Sequence, residues 1–168
     1  MYFLPIGIDI ENQQILIIGG GKVGLHKVEG LERFTRNIKV LAPEIIDEIR
    51  RREWIDIVEK HYEPADLQGH LLVYAATDDH GLNTRIRNDA RNYRCLVNVV
   101  DMPANCDFIS PAIFKYDSMS VAVSSNGENV YASIQWRNEI QKLVENGTIT
   151  PVRPKHTYRD PGSASQET

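Results

Sequence analysis

Cysteine is scarce: the 168 residues hold two, Cys95 and Cys106, with no CxxC pair. Neither a disulfide framework nor a zinc knuckle can be built from that, and reduced thiols of a cytoplasmic protein are the expectation. The histidines (26, 61, 70, 80 and 156) show no ligand spacing, so no metal site is expected. Long apolar runs are missing too, and no segment can span a bilayer as a helix. The start, Met1-Tyr2-Phe3-Leu4-Pro5-Ile6, has no basic stretch and no small-residue cleavage site, so no secretory signal is expected. Positive charge is not in excess: 19 Lys and Arg against 23 Asp and Glu leave a net −4, which argues against a nucleic-acid binder. No internal repeat occurs.

What is present is an ordinary globular mixture, 42% hydrophobic and 25% charged. At this length about 70% of the unfolded surface can be buried. Gln14–Ile18 is a short continuous apolar run, the mark of a strand covered on both faces. It leads into Gly19-Gly20-Gly21-Lys22-Val23-Gly24. Gly24, Val28, Leu31 and Phe34 then recur at helical spacing. Ile38–Ala42 is the next strand, closed by Pro43. Further along, the spacing predicts a helix over Glu44–Arg52, strands at Trp54–Val58, Leu71–Ala75 and Cys95–Val100, and a helix over Leu82–Tyr93. Strands and helices alternating at this pitch predict an α/β fold, a Rossmann-like open parallel sheet.

After Asp101 the pattern changes. Phe108–Phe114 and Met119–Ser124 read as two strands, and Ala132, Trp136, Ile140 and Leu143 mark a last helix near Asn129–Glu145. The expected organisation is a nucleotide-binding domain over 1–107, a small β-β-α element over 108–146 and a polar, disordered tail over 147–168.

Gly19-x-Gly21-x-x-Gly24 stands where a dinucleotide fingerprint must stand, after a buried strand and at the opening of a helix. Gly19 serves the turn, Gly21 the approach of a pyrophosphate and Gly24 close helix packing. The helix N-terminus offers free amides to the phosphates. The acid that usually ends the second strand and holds the ribose is missing from Val40-Leu41-Ala42-Pro43. Glu44 stands just beyond. Arg33 and Arg36 could equally meet a 2′-phosphate, so NAD and NADP both stay open. Ala75-Ala76-Thr77-Asp78-Asp79 and Asn98-Val99-Val100-Asp101 fall at carboxyl ends of strands, where such sheets bind ligands. Thr77 with the two aspartates is equally a helix cap.

The ordered set of motifs resembles the precorrin-2 dehydrogenase/sirohydrochlorin ferrochelatase family, the N-terminal module of siroheme synthase. The residues that carry the resemblance are Ile17–Gly24 with Lys27, Ala75–Asp79 with Leu82-Asn83, Val97–Asp101, Cys106-Asp107-Phe108-Ile109-x-Pro111-Ala112 and Val121–Ser125. It covers about residues 1–145. It implies a cytoplasmic, homodimeric enzyme that oxidises precorrin-2 to sirohydrochlorin with NAD, many members also inserting ferrous iron. It implies that 108–146 is a dimerisation element.

Candidate cofactor positions are then Gly19, Gly21, Lys22, Val23, Gly24, Ala42, Pro43, Ala76, Thr77 and Asn98. Asp101 matches the family's functional aspartate and is the candidate catalytic base; an Asp before x-Pro is also a good turn former. Ser124, Ser125 and Asn126 are candidate substrate-binding residues or, equally, a helix entry with its cap. Where the family continues Gly-Gly-x-Ser-Pro, this chain has Asn126-Gly127-Glu128-Asn129-Val130. Lys115 and Arg137 flank the second element and could offset the many carboxylates of precorrin-2. The competing expectation is a non-catalytic NAD-binding sensor or regulatory subunit, which needs the glycine loop but no carboxylate in the crevice.

Overall fold

Strand β1 (Ile15–Ile18) has all four side chains buried, none more than 1% exposed. It runs between β2 (Ile38–Leu41) and β4 (Leu72–Ala75), with β3 (Asp56–Val58) and β5 (Leu96–Val99) outside them. All the pairings are parallel, in the order β3-β2-β1-β4-β5. The structure is a computed structural model and describes residues 2–100 and 102–150. Among these, no helix is long and apolar enough to cross a membrane.

Continuous apolar strands follow from cover on both faces. Ile15, Ile17, Val40 and Tyr74 point to the side of helices α1 (Lys22–Leu31) and α2 (Asp47–Arg50), which add Val28 and Ile49. Leu16, Ile18, Val73, Val97 and Val99 point to the other side, where α3 (His80–Ala90) supplies Ile86 and Ala90. Each fully buried aliphatic side chain contributes about 1.5–3 kcal/mol, so the sheet is the rigid base on which the loops stand. The chain ends in an antiparallel hairpin, β6 (Ala112–Tyr116) and β7 (Met119–Val123), with α4 (Val130–Glu145) packed across it. This is the α/β parallel sheet plus β-β-α element expected.

Several boundaries differ from expectation, each for a visible reason. Glu44–Arg52 forms only the single turn of α2, because Glu44–Ile46 is held against the glycine loop by Ile46 N–H donating to Gly20 O at 3.0 Å. Ile45 is buried by that contact rather than by a helical face. Phe34 lies past the end of α1, 39% exposed, with the Lys115 ammonium over its ring. The first strand of the hairpin starts at Ala112 rather than Phe108, since Phe108 turns inward to meet Tyr74 edge-on, centroids 5.3 Å apart. The tail beyond residue 150 lies outside the described residues; Gly147–Thr150 follow α4 as a turn.

The outer edge of β5 is closed by Cys106 and Asp107, the Asp107 N–H donating to Val97 O at 2.8 Å. Val97 N–H donates to the Asp107 carboxylate at 3.0 Å and Val99 N–H to Cys106 Sγ at 3.1 Å. Arg87 of α3 holds Asp107 at 2.6 Å. An edge strand whose donors are occupied cannot recruit a foreign strand.

Candidate dinucleotide site

A cleft of about 480 Å³ opens over the carboxyl ends of β1, β2 and β4. Its floor is the glycine loop. Gly19 has φ +130°, and a Cβ there would collide with the Ala76 carbonyl. At Gly20 a Cβ would strike the Glu44 carbonyl, and at Gly24 the carbonyl of Gly19. At Gly21, by contrast, nothing lies within 4 Å of where a Cβ would be. Three glycines therefore let the chain pack on itself, and Gly21 leaves space on the cleft side.

Gly21 is also the N-cap of α1, and among the described residues no side chain caps that helix. The first N–H groups of a helix have no partner within it and carry a partial positive charge. A pyrophosphate seated over Gly21 would take up those amides. The open position at Gly21, the uncapped helix and the size of the cleft fit a dinucleotide.

Of the expected cofactor positions, Gly19, Gly21, Val23, Ala42, Pro43, Ala76 and Thr77 line the cleft together. Lys22 is exposed and Gly24 is buried beneath the loop; neither is in the lining. Asn98 is not in the lining either. It is 5% exposed, and its Nδ2 donates to Phe108 O at 3.0 Å. Among the described residues its Oδ1 has no partner. Asn98 thus anchors the 106–108 segment to β5.

The turn after β4 is organised by a residue whose role sequence reasoning missed. Asn83 of α3 is 1% exposed. Its Oδ1 accepts from Thr77 N–H and Oγ1–H at 3.2 and 2.8 Å, and its Nδ2 donates to Thr77 O at 2.9 Å. The available signal was a polar residue beside Leu82 on the buried stripe of α3. Asp79 caps α3, its Oδ1 accepting Leu82 N–H at 3.0 Å. Asp78 remains exposed in the cleft wall.

Glu44, Ile45, Ile46, His61 and Tyr62 complete the lining and were not expected there, apart from Glu44. Tyr62 donates to Asp89 at 3.0 Å, and burial together with that carboxylate pushes its hydroxyl well above the usual tyrosine range. The arginines offered for a 2′-phosphate are placed elsewhere. Arg33 donates to Ile113 O at 3.0 Å, and Arg36 lies over the Trp54 ring at 6.0 Å.

Ser124, Ser125 and Asn126 lie outside the cleft lining, at the entry to α4. Ser124 Oγ accepts from Asn126 N–H at 3.2 Å, and Ser125 Oγ from Asn129 N–H at 2.9 Å. Asn129 is the cap, accepting Ala132 N–H at 2.9 Å. Asn126, with φ +56°, accepts Phe3 N–H at 3.3 Å. Arg33 and Arg137 share one acceptor, Ile113 O, at 3.0 and 3.1 Å, and so join the turn after α1 and helix α4 to the hairpin. Asp101 lies outside the described residues. Just before it, Val100 N–H donates to Ala75 O at 3.0 Å.

A five-stranded parallel sheet in this order, with a glycine turn feeding an uncapped helix beneath an open cleft, defines a dinucleotide-binding protein of the Rossmann class. The chain belongs to the family described as putative NAD(P)-binding, whose model matches residues 6–112. A siroheme synthase of Ectopseudomonas mendocina is 43% identical over 129 residues, which are 76% of this chain and 28% of that protein. A siroheme synthase of Photorhabdus laumondii is 33% identical over 167 residues, 95% of this chain and 35% of the other. The chain thus spans about a third or less of these relatives' length, and the resemblance read from its motifs is borne out by them. A solved structure named SirC, precorrin-2 dehydrogenase, shares the fold with a TM-score of 0.71 at 19% identity, covering 84% of this chain and 71% of the other.

Proposed function

We propose that this chain is the NAD-dependent dehydrogenase that oxidises precorrin-2 to sirohydrochlorin, working as a cytoplasmic homodimer. The observation that carries the reading is the Gly21 face of the cleft, open in front of the uncapped start of α1. The siroheme synthase relatives supply the substrate class.

Bound NAD supplies a hydride acceptor. The residues described here do the rest of the binding. Gly21 and the first amides of α1 receive the pyrophosphate. Leu41, Ala42, Ile45 and Leu82 give the cleft apolar walls that exclude water. Asn83 fixes the Thr77 turn that closes the β4 side. The oxidation also releases a proton from the macrocycle. Asp101, two residues past the end of the strand that pairs with Ala75, is assigned to receive it.

The test is the absorption spectrum of precorrin-2 mixed with the protein and NAD. Conversion to the sirohydrochlorin spectrum is expected, slowed about 10²–10⁴-fold in Asp101→Asn with NAD affinity retained. No spectral change despite tight NAD binding would replace the enzyme by a nucleotide sensor. Near-normal rates in Asp101→Asn would remove Asp101 as the base.

A further inference from the structure

We propose that Lys27 is a substrate-binding residue: its ammonium takes a side-arm carboxylate of the macrocycle and holds the ring over the carboxyl ends of β4 and β5. The proposal rests on the dehydrogenase reading above and adds to it the group that recognises the substrate's charge.

Residues four apart share a helix face. Val23 lines the cleft, and Lys27 stands one turn further along the same side of α1. Its Nζ lies 5.4 Å from the centre of the Tyr74 ring, within the range of a cation–π contact. Tyr74 pairs with Asn98 across β4 and β5, so these two side chains rise from one face of the sheet. Burial pushes the Cys106 thiol up, and the Val99 bond and then the Lys27 charge oppose that shift. The ammonium therefore stands between α1 and the segment that follows β5, at the end of the sheet where the strands deliver their ligands.

A lysine usually runs its stem along the surface and leaves its charge in water. Lys27 is instead half-buried with its charge over an aromatic ring. Beside Tyr74, Asn98 is 5% exposed, and among the described residues its Oδ1 has no partner. An acceptor left open in a buried place calls for a donor. This corner thus offers one cation and one open acceptor. A tetrapyrrole acid brings carboxylates at its rim and N–H groups at its centre. The other cations are placed differently. Among the described residues, no lysine or arginine lines the cleft. Lys22 is exposed beside the phosphate loop. Arg87 is held by Asp107, and Arg33, Lys115 and Arg137 gather past the far end of α1.

The experiment is steady-state oxidation of precorrin-2 by the full chain at saturating NAD, together with absorbance titration of sirohydrochlorin, which carries the same acid side arms. Circular dichroism checks the fold of each variant and NADH fluorescence its cofactor site. Lys27→Met keeps much of the stem and removes the charge. It should raise KM for precorrin-2 and weaken sirohydrochlorin about 10–100-fold, with kcat and NADH affinity within about twofold of the parent. Lys27→Arg restores the cation and should recover most of the loss. Added salt should raise KM more steeply in the parent than in Lys27→Met. An unchanged KM in Lys27→Met would overturn the proposal. So would a loss confined to kcat, which would make Lys27 act through another group. A parent that binds sirohydrochlorin but leaves precorrin-2 unoxidised would end the dehydrogenase reading alone; the site then stands if Lys27→Met weakens that binding and falls if it does not. A parent that binds neither tetrapyrrole would end both.

Discussion

Gly21 differs from its neighbours in what its missing side chain faces: open space rather than protein. The distinction separates two kinds of substitution. A side chain at Gly19, Gly20 or Gly24 must push backbone aside, whereas one at Gly21 only fills the cleft. Gly21→Asp is therefore expected to melt within a few degrees of the parent and to lose NAD binding in calorimetry, because its carboxylate occupies the pyrophosphate position. Unaltered affinity would mean that the phosphates lie elsewhere. Tyr62 gives a second residue-scale test. Its hydroxyl is held above the usual value of 10.0 by burial first and by the Asp89 bond second. A raised folded-state value favours the neutral phenol, so this stabilisation is complete below about pH 10 and is lost as the pH climbs beyond it. Chemical denaturation between pH 9 and 11 should show a steeper loss for the parent than for Tyr62→Phe. At this scale the sequence was partly legible. Glycine spacing announced the loop, because a tight turn feeding a helix under a pyrophosphate needs glycine at set positions. The roles of Asn83 and Tyr62 were silent, because they come from partners at Thr77 and Asp89 that the fold brings near.

Among the elements, the strands were the easiest to read and the short helix the hardest. Ile15–Ile18 and Leu72–Ala75 are covered on both faces, so hydrophobicity alone marks them. Ile45 and Ile46 mimic a helical stripe, yet their burial comes from the glycine loop across the cleft floor. Phe108 looked like the start of a strand because an aromatic suits either place. The edge of β5 could not be foreseen, since two of its partners are the side chains of Asp107 and Cys106. Asp107 there serves Val97 N–H and Arg87 at once. Asp107→Ala leaves a strand donor and a half-buried guanidinium without their acceptor. Urea unfolding should register a loss of about 1–3 kcal/mol, and amide exchange at Val97 should quicken. Unchanged stability and exchange would show that water replaces the carboxylate at no cost.

The whole molecule leaves a conspicuous apolar surface on its last helix. Tyr131 is 87% exposed, Trp136 67% and Val130 60%, and Met119 at the start of β7 is 55% exposed. Phe108, by contrast, is packed on Tyr74, and Ile113, Val121, Val123 and Ile140 are half-buried. The apolar surface left to cover thus lies mostly on α4. A second copy meeting it about a two-fold axis is the reading proposed above. Sedimentation at micromolar concentration should report a dimer, and Trp136→Glu should shift it to monomer with the fold intact. A monomeric parent would end that reading.

The first strand of the sheet in chain order is its middle one. β1 pairs with β2 on one side, but its other edge waits for β4, where Ile17 meets Tyr74. Ribosomes add roughly 5–20 residues per second, so that edge stays open for about 3–11 s of synthesis. During that interval an apolar segment, Gln14–Ile18, is in the cell with half of its ladder unfilled and no α3 to cover it. The chain is thus exposed to mispairing while it is being made, and slower translation lengthens that interval.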